Sequence, residues 1–234
     1  MAKTSIFIGG IRPLPESGRP TGIYKQAAST ALMLGQEGFA GDHQADRNVH
    51  GGPEKAVHYY PATHYARLAA RFPEAATQLL PGSIGENLSS FELDENDVRI
   101  GDIWRLGDAL LQVCQPRNPC WKIDARYATE GMAAFIAEQR LTGWYWRVVR
   151  PGQVMPGAEL LPDQIAADAP TLAAAMQLWQ AHRPPLAELQ GLANTPGIAG
   201  QWKQKIDARV EWLARQSEQQ PPAAAPFHVK PENP

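Results

Sequence analysis

Cysteine is scarce in this chain, with two residues in 234. Two are too few for an internal four-cysteine iron–sulfur cluster. The opening MAKTSIFIGG has one lysine and a very short apolar stretch, too little for a signal peptide. Reduced thiols in a cytoplasmic protein are therefore expected, and a disulfide is not. Long apolar runs are also missing: none approaches the roughly 18 residues that cross a bilayer. Neither sign of charge dominates. Lys plus Arg number 22 against 24 Asp plus Glu, a formal net charge of −2, so no global field recruits nucleic acid or an anionic membrane. Any anion site must be local. There is no internal repeat and no Walker or dinucleotide-binding pattern.

What is plentiful is punctuation. The 21 prolines and 20 glycines predict many turns and short strands. SIFIGGI and STALML read as opening strands around the turn-rich PLPESGRPTG. Tyr65, Leu68, Ala69 and Phe72 fall at helical spacing between Pro61 and Pro73. VRIGDIWRLGDALLQVCQP carries short strands with turns at Gly101-Asp102 and Gly107-Asp108. A second helix is expected over TEGMAAFIAEQR, with Met132, Phe135 and Ile136 inward and Gly143 as its stop. WYWRVVRPGQV is a further strand. The expected fold class is mixed α+β, with a β-barrel-like core over residues 1–165.

Beyond residue 166 the pattern turns helical. Leu172, Ala175, Met176 and Trp179 share one face, PLAELQGL is a short helix, and Trp202, Ile206, Val210 and Leu213 form a stripe. These helices, residues 166–215, read as a small C-terminal subdomain that must pack together or on the core. The proline-rich polar remainder, 216–234, reads as a disordered tail.

The densest group of functional residue types is FAGDHQADRNVHGGPEKAVHYYP, residues 39–61. Gly51 and Gly52 let backbone N–H groups converge on an anion, and Lys55 supplies positive charge. Residue types alone favour the plainer reading, a solvated Gly-Gly-Pro corner. Zinc is a second candidate, from His43, His50, His58, His64, Cys114 and Cys120, yet no pair has the short spacing of structural zinc sites. His58 and His64 read more simply as flanks of a helix start. SIGENL places Glu86 and Asn87 beside a bend at Gly85, or is simply a polar turn entering a strand.

Both cysteines lie in VCQPRNPCWKI, residues 113–123. Cys114 sits in the apolar run LLQVC and reads as packing. Cys120 comes after two prolines and has Arg117 and Lys122 close in sequence, and positive neighbours favour thiolate. A thiolate among basic groups suits a soft metal in a phosphate-bearing cofactor. A metal-free nucleophile pair of Cys120 with His50 fits the same residues.

Taken in order, GDHQADRNVHGGPEKAVHYYP, SIGENL, IGDIWRLG and QPRNPCWKI strongly resemble the MOSC family (the molybdenum cofactor sulfurase C-terminal domain), in its YiiM-like branch, which carries a three-helix C-terminal extension. The resemblance covers nearly the whole chain except the tail. It implies a barrel-like MOSC core and a molybdenum cofactor, a Mo-pyranopterin (molybdopterin) phosphate. Cys120 matches the family's metal-coordinating cysteine, while Cys114 matches no ligand position. His50, Gly51, Gly52, Lys55, Asn87, Arg117 and Lys122 match the positions for pterin and phosphate, and Asp42 and Gln44 belong to the GDxQ motif. The implied activity is that of a molybdenum-dependent oxidoreductase that detoxifies N-hydroxylated compounds, including hydroxylamino nucleobases, by reducing them to amines. His50 is the candidate proton donor, because an ordinary imidazole titrates near neutrality. No flavin or ferredoxin motif is present, so electrons are expected from a separate reductase. The helical extension is expected to pack on the barrel or stabilise a homodimer. A carrier of the cofactor, or of a persulfide on Cys120, is the alternative from another class.

Overall fold

The computed structural model describes residues 2–219, so most of the expected tail lies outside the described residues. The last helix runs to Gln219 and takes in the tail's first residues.

Its centre is a hairpin that the sequence announces. Ile103–Leu106 pairs with Ala109–Pro116 across the two-residue turn Gly107-Asp108, Leu106 lying opposite Ala109. Trp144–Arg150 then pairs antiparallel with Ala109–Pro116 on its other edge. These strands bury Leu111, Val113, Trp144, Trp146 and Val148. Among the described residues nine strands form one curled sheet. Residues 2–8 explain the curl. Ala2–Lys3 pairs with Glu159–Gln164 at one edge. Ser5–Ile8, after a break at Thr4, pairs with Leu88–Ser89 and Gln26–Ala27 at the other. One short segment thus serves both ends of the sheet, which leaves few free strand edges.

Two irregularities in this sheet aim the site. The pairing of Ala109–Pro116 with Trp144–Arg150 slips between Val113 and Gln115. Cys114 is the extra residue, and such bulges bend a strand and redirect the chain beyond them. Its thiol donates to the carbonyls of Glu54, 3.2 Å away, and Tyr145, 3.4 Å away. Its own carbonyl, freed from the ladder, accepts from Ala199 N at 2.9 Å. The reading of Cys114 as a packing residue agrees with this burial. Gly143 differs from expectation. The helix stops at Glu138, five residues earlier, and Arg140 with φ 57° turns the chain. Gly143 instead lets Trp144–Arg150 approach Val57–Tyr59, because a Cβ there would sit 2.1 Å from the Tyr59 carbonyl oxygen. The same residue accepts from Arg117 N at 3.1 Å.

The expected helix around Tyr65 is His64–Arg71, burying Tyr65 and Leu68. The expected strand in STALML begins only at Leu32. Several short helical segments escape sequence patterning: Arg47–His50, Lys122–Tyr127, and 3-10 turns over Pro53–Lys55 and Pro73–Gln78. Each is too short to show a periodic apolar face.

The C-terminal helices are Leu172–Gln180, Leu186–Ala193 and Gly200–Gln219. Thr171 caps the first, its hydroxyl accepting from Ala174 N at 3.2 Å. Their apolar faces join the barrel's own buried cluster: Leu172, Met176, Leu192, Trp202 and Ile206 lie in one contiguous core with Leu111, Trp144 and Trp146. Among the described residues no helix is long and apolar enough to cross a membrane.

Candidate active site

Three cavities meet at His50 and Cys120, of about 80, 300 and 640 Å³. The smallest is the most basic. Lys25, Lys55, Arg117 and Lys122 line it together with His43, His50 and His58, and among the described residues no carboxylate does.

Its floor is built from distant segments. Asn87 braces the strand carrying His58, accepting from His58 N at 3.1 Å and donating through its own N–H to the His58 carbonyl at 2.8 Å. The Asn87 side-chain amide also donates to Phe7 O at 3.2 Å and to Asp42 at 2.9 Å. Asp42 does not line the cavity. Its carboxylate accepts from Gly9 N at 2.9 Å and holds the Lys25 ammonium at 2.6 Å, both side chains being almost wholly buried. Burial lowers the Lys25 pKa, and Asp42 opposes that shift. Asp42 therefore positions a cation that sequence reading missed. Gln44 lines the cavity and lies 3.4 Å from the Asp42 carboxylate.

The wall comes from the segment after the Cys114 bulge. Arg117 is buried, 6 % exposed, and lies against Tyr145. Its Nη1 and the Nε2 of His58 are buried with no hydrogen-bond partner among the described residues. Both residues line the small cavity. Buried polar atoms are nearly always satisfied, so two orphans facing one basic cavity point to a polar ligand, and Arg117 Nη1, which can only donate, requires an acceptor on it.

Gly51 and Gly52 line none of the three cavities. They shape the corner instead. A Cβ on Gly51 would meet the Arg47 Cα at 2.9 Å, and Gly52 has φ 90°. The turn sets His50 and Lys55 on the same cavity, with the Lys55 ammonium donating to Gln201 Oε1 at 3.1 Å. Glu86 is structural: its buried carboxylate accepts from the Tyr65 hydroxyl and from the N–H groups of Gly82 and Ile84. His58 is not a helix flank but a strand residue paired with Tyr145, the rings 5.4 Å apart. His64 does start the helix and pairs with Glu95 at 2.8 Å, a contact unconnected to the cavities. Among the described residues no three of the His, Cys, Asp and Glu side chains come together as a metal site, which removes the zinc reading for them.

His50 departs from the premise on which it was chosen. Burial, then Arg117, Lys122 and Lys55, lower its pKa to about 4, against Asp46. It is neutral at pH 7. A lowered folded pKa means its contribution to stability is present above the ordinary 6.5 and is lost as pH falls through about 4. In cofactor-free protein the His50 Cε1 proton is expected to titrate near that low value. Inorganic phosphate should raise the midpoint by offsetting the surrounding cations. A midpoint near 6.5 without phosphate would refute the cationic cleft.

Comparisons with known proteins agree with this architecture. The MOSC domain family profile matches residues 46–161. Protein YiiM of Escherichia coli K12 is 35 % identical over 216 residues, covering 90 % of this chain and 95 % of that protein. The crystal structure of Escherichia coli YiiM superposes with a TM-score of 0.75 at 28 % identity, covering 90 % of this chain and 92 % of the other. A Gibberella moniliformis protein named "Reductase" is 35 % identical over 136 residues, which is 58 % of this chain and 24 % of that longer protein.

Proposed function

This chain belongs to the MOSC domain family, and from that premise we propose that its cleft holds a molybdenum cofactor and reduces N-hydroxylated compounds to amines. The observation that carries the reading is the cavity itself: four cationic side chains, no carboxylate among the described residues, two buried unpartnered nitrogens (Arg117 Nη1 and His58 Nε2) and one cysteine. The composition fits an anionic, acceptor-rich group with a thiophilic centre. Arg117, Lys122, Lys55 and the Asp42-held Lys25 would take its phosphate and pterin oxygens. His58 would meet a polar edge at the floor that Asn87 braces, and Cys120 would ligate the metal.

When bound, the cofactor supplies a two-electron reductant that the side chains lack. The net change cleaves the N–O bond; two electrons and two protons yield the amine and water. A separate reductase, or a chemical reductant in the assay, provides the electrons. Arg117 and Lys55 hold charge in place before reaction, so little reorganisation is needed as charge develops. His50, neutral among cations, gains proton affinity as an anion settles beside it, which suits proton delivery to the departing oxygen.

The cavity of about 300 Å³ adjoining Cys120 favours turnover over storage, since a carrier needs no second compartment. Reduced, cofactor-loaded protein is expected to convert a hydroxylaminopurine to the aminopurine, and cofactor-free protein is not. Loaded protein that converts no N-hydroxylated compound would leave the carrier reading in its place.

A further inference from the structure

We propose that the chamber between barrel and C-terminal helices is the substrate compartment, and that Trp179 and Gln201 select planar aromatic substrates for it. This rests on the reductase reading. The chamber shares His50, Lys55, Arg117, Cys120 and Tyr145 with the small basic cavity, so its occupant reaches the same sulfur and the same cations. Its remaining wall has different chemistry. Trp179 and Met176 come from helix Leu172–Gln180, Trp202 and Gln201 from helix Gly200–Gln219, which adds one further cation, Lys205, and Asn118 comes from the loop before Cys120. At about 300 Å³ it lies at the lower end of small-ligand sites, with room for a fused bicyclic ring. Indoles offer flat faces for stacking, and side-chain amides match the mixed donor and acceptor edge of a heterocycle.

The helices are tied to the wall they complete. The Glu54 carboxylate accepts from Gly200 N at 3.0 Å, at the start of the long helix, and from Arg147 Nη2 at 2.7 Å. The next residues make a second tie, Lys55 to Gln201. Arg209 donates to the carbonyls of Trp179 and Ala181 while its guanidinium lies 5.1 Å from the Trp179 ring centroid. The backbone at Trp179 and one face of its ring are thus held before a substrate arrives, which limits the ordering cost of binding at the other face. Sequence patterning assigns Trp179 to the helix's inward face, yet it is only half-buried. A half-buried indole that lines the chamber is what a stacking role needs.

The test uses the cofactor-loaded protein and two variants, Trp179→Ala and Gln201→Ala. Two substrates are compared, a hydroxylaminopurine and a short aliphatic N-hydroxy compound. The expected result in Trp179→Ala is a fall of about tenfold in the ratio of kcat/KM values, aromatic over aliphatic, as loss of one stacking face predicts. It should arise through KM, with molybdenum content unchanged. Binding of the aminopurine product by calorimetry should weaken by a similar factor. Gln201 is exposed, so Gln201→Ala keeps the fold and should shift the ratio the same way by a smaller factor. An unchanged ratio in both variants, molybdenum lost from both, or wild-type protein that does not bind the aminopurine would each overturn the assignment. If wild type binds the aminopurine through Trp179 but reduces nothing, the compartment stands and the reductase reading falls.

Discussion

Arg117→Met is expected to strip the protein of cofactor while making the cofactor-free fold no less stable. Arg117 is buried with Nη1 unpartnered and shares its cavity with Lys25, Lys55 and Lys122. A buried guanidinium that shares a hydrogen bond with Tyr145 but has no carboxylate facing it in the cavity and one nitrogen unpartnered costs free energy in the fold. Methionine fills similar volume without that cost, so the cofactor-free Tm should hold or rise by the equivalent of about 1 kcal/mol. The ligand loses a charge-assisted hydrogen bond, and retention should weaken on the order of 10- to 100-fold. Equilibrium dialysis against a reporter of released pterin gives the second number, and calorimetric melting the first. A lower Tm with unaltered retention would make Arg117 a structural residue and remove it from the site.

The two cysteines should part company under the same substitution. Cys120→Ala is expected to abolish turnover with little effect on melting, because the side chain is half-buried at the junction of three cavities. Cys114→Ala should retain turnover and melt lower, since it removes a fully buried sulfur that donates to two carbonyls at a strand bulge. The stability loss should be about 1 kcal/mol, the scale of one small core truncation with its hydrogen bond. Burial pushes the Cys114 thiol up to about 12, so at neutral pH it stays protonated and inert to thiol reagents until the fold opens. Alkylation of native protein and subsequent peptide mapping checks this: label at Cys114 before unfolding would contradict its assignment.

The features legible in the sequence were those that repeat or sit close in the chain. The Gly107-Asp108 hairpin and the C-terminal apolar stripes are local patterns, and the structure carries both. The different surroundings of Cys114 and Cys120 were legible for the same reason. Contacts between remote segments were not. Lys25 stands in no motif; it becomes a site residue only because the fold sets Asp42, itself held by Asn87, beside it. His58 and Tyr145 meet across a strand register that joins segments far apart in the chain. Gly51 and Gly52 show the limit of residue-type reasoning. An adjacent glycine pair reads as an anion cradle, yet here it turns the backbone so that its neighbours face the cavity. His50 shows the limit of reference pKa values, for three nearby cations and burial take it away from neutrality. The chamber between barrel and helices required knowing where the helices dock, which amphipathic patterning cannot specify.

The central claim is that Cys120 holds molybdenum in a basic pterin site. It is tested most directly by elemental and pterin analysis of protein made in a molybdenum-supplemented host, comparing wild type, Cys120→Ala and Cys114→Ala. Near-stoichiometric molybdenum and pterin in wild type and Cys114→Ala, with molybdenum lost from Cys120→Ala, is the expected result. Folded protein from a competent host that carries neither metal nor pterin in any variant would contradict it.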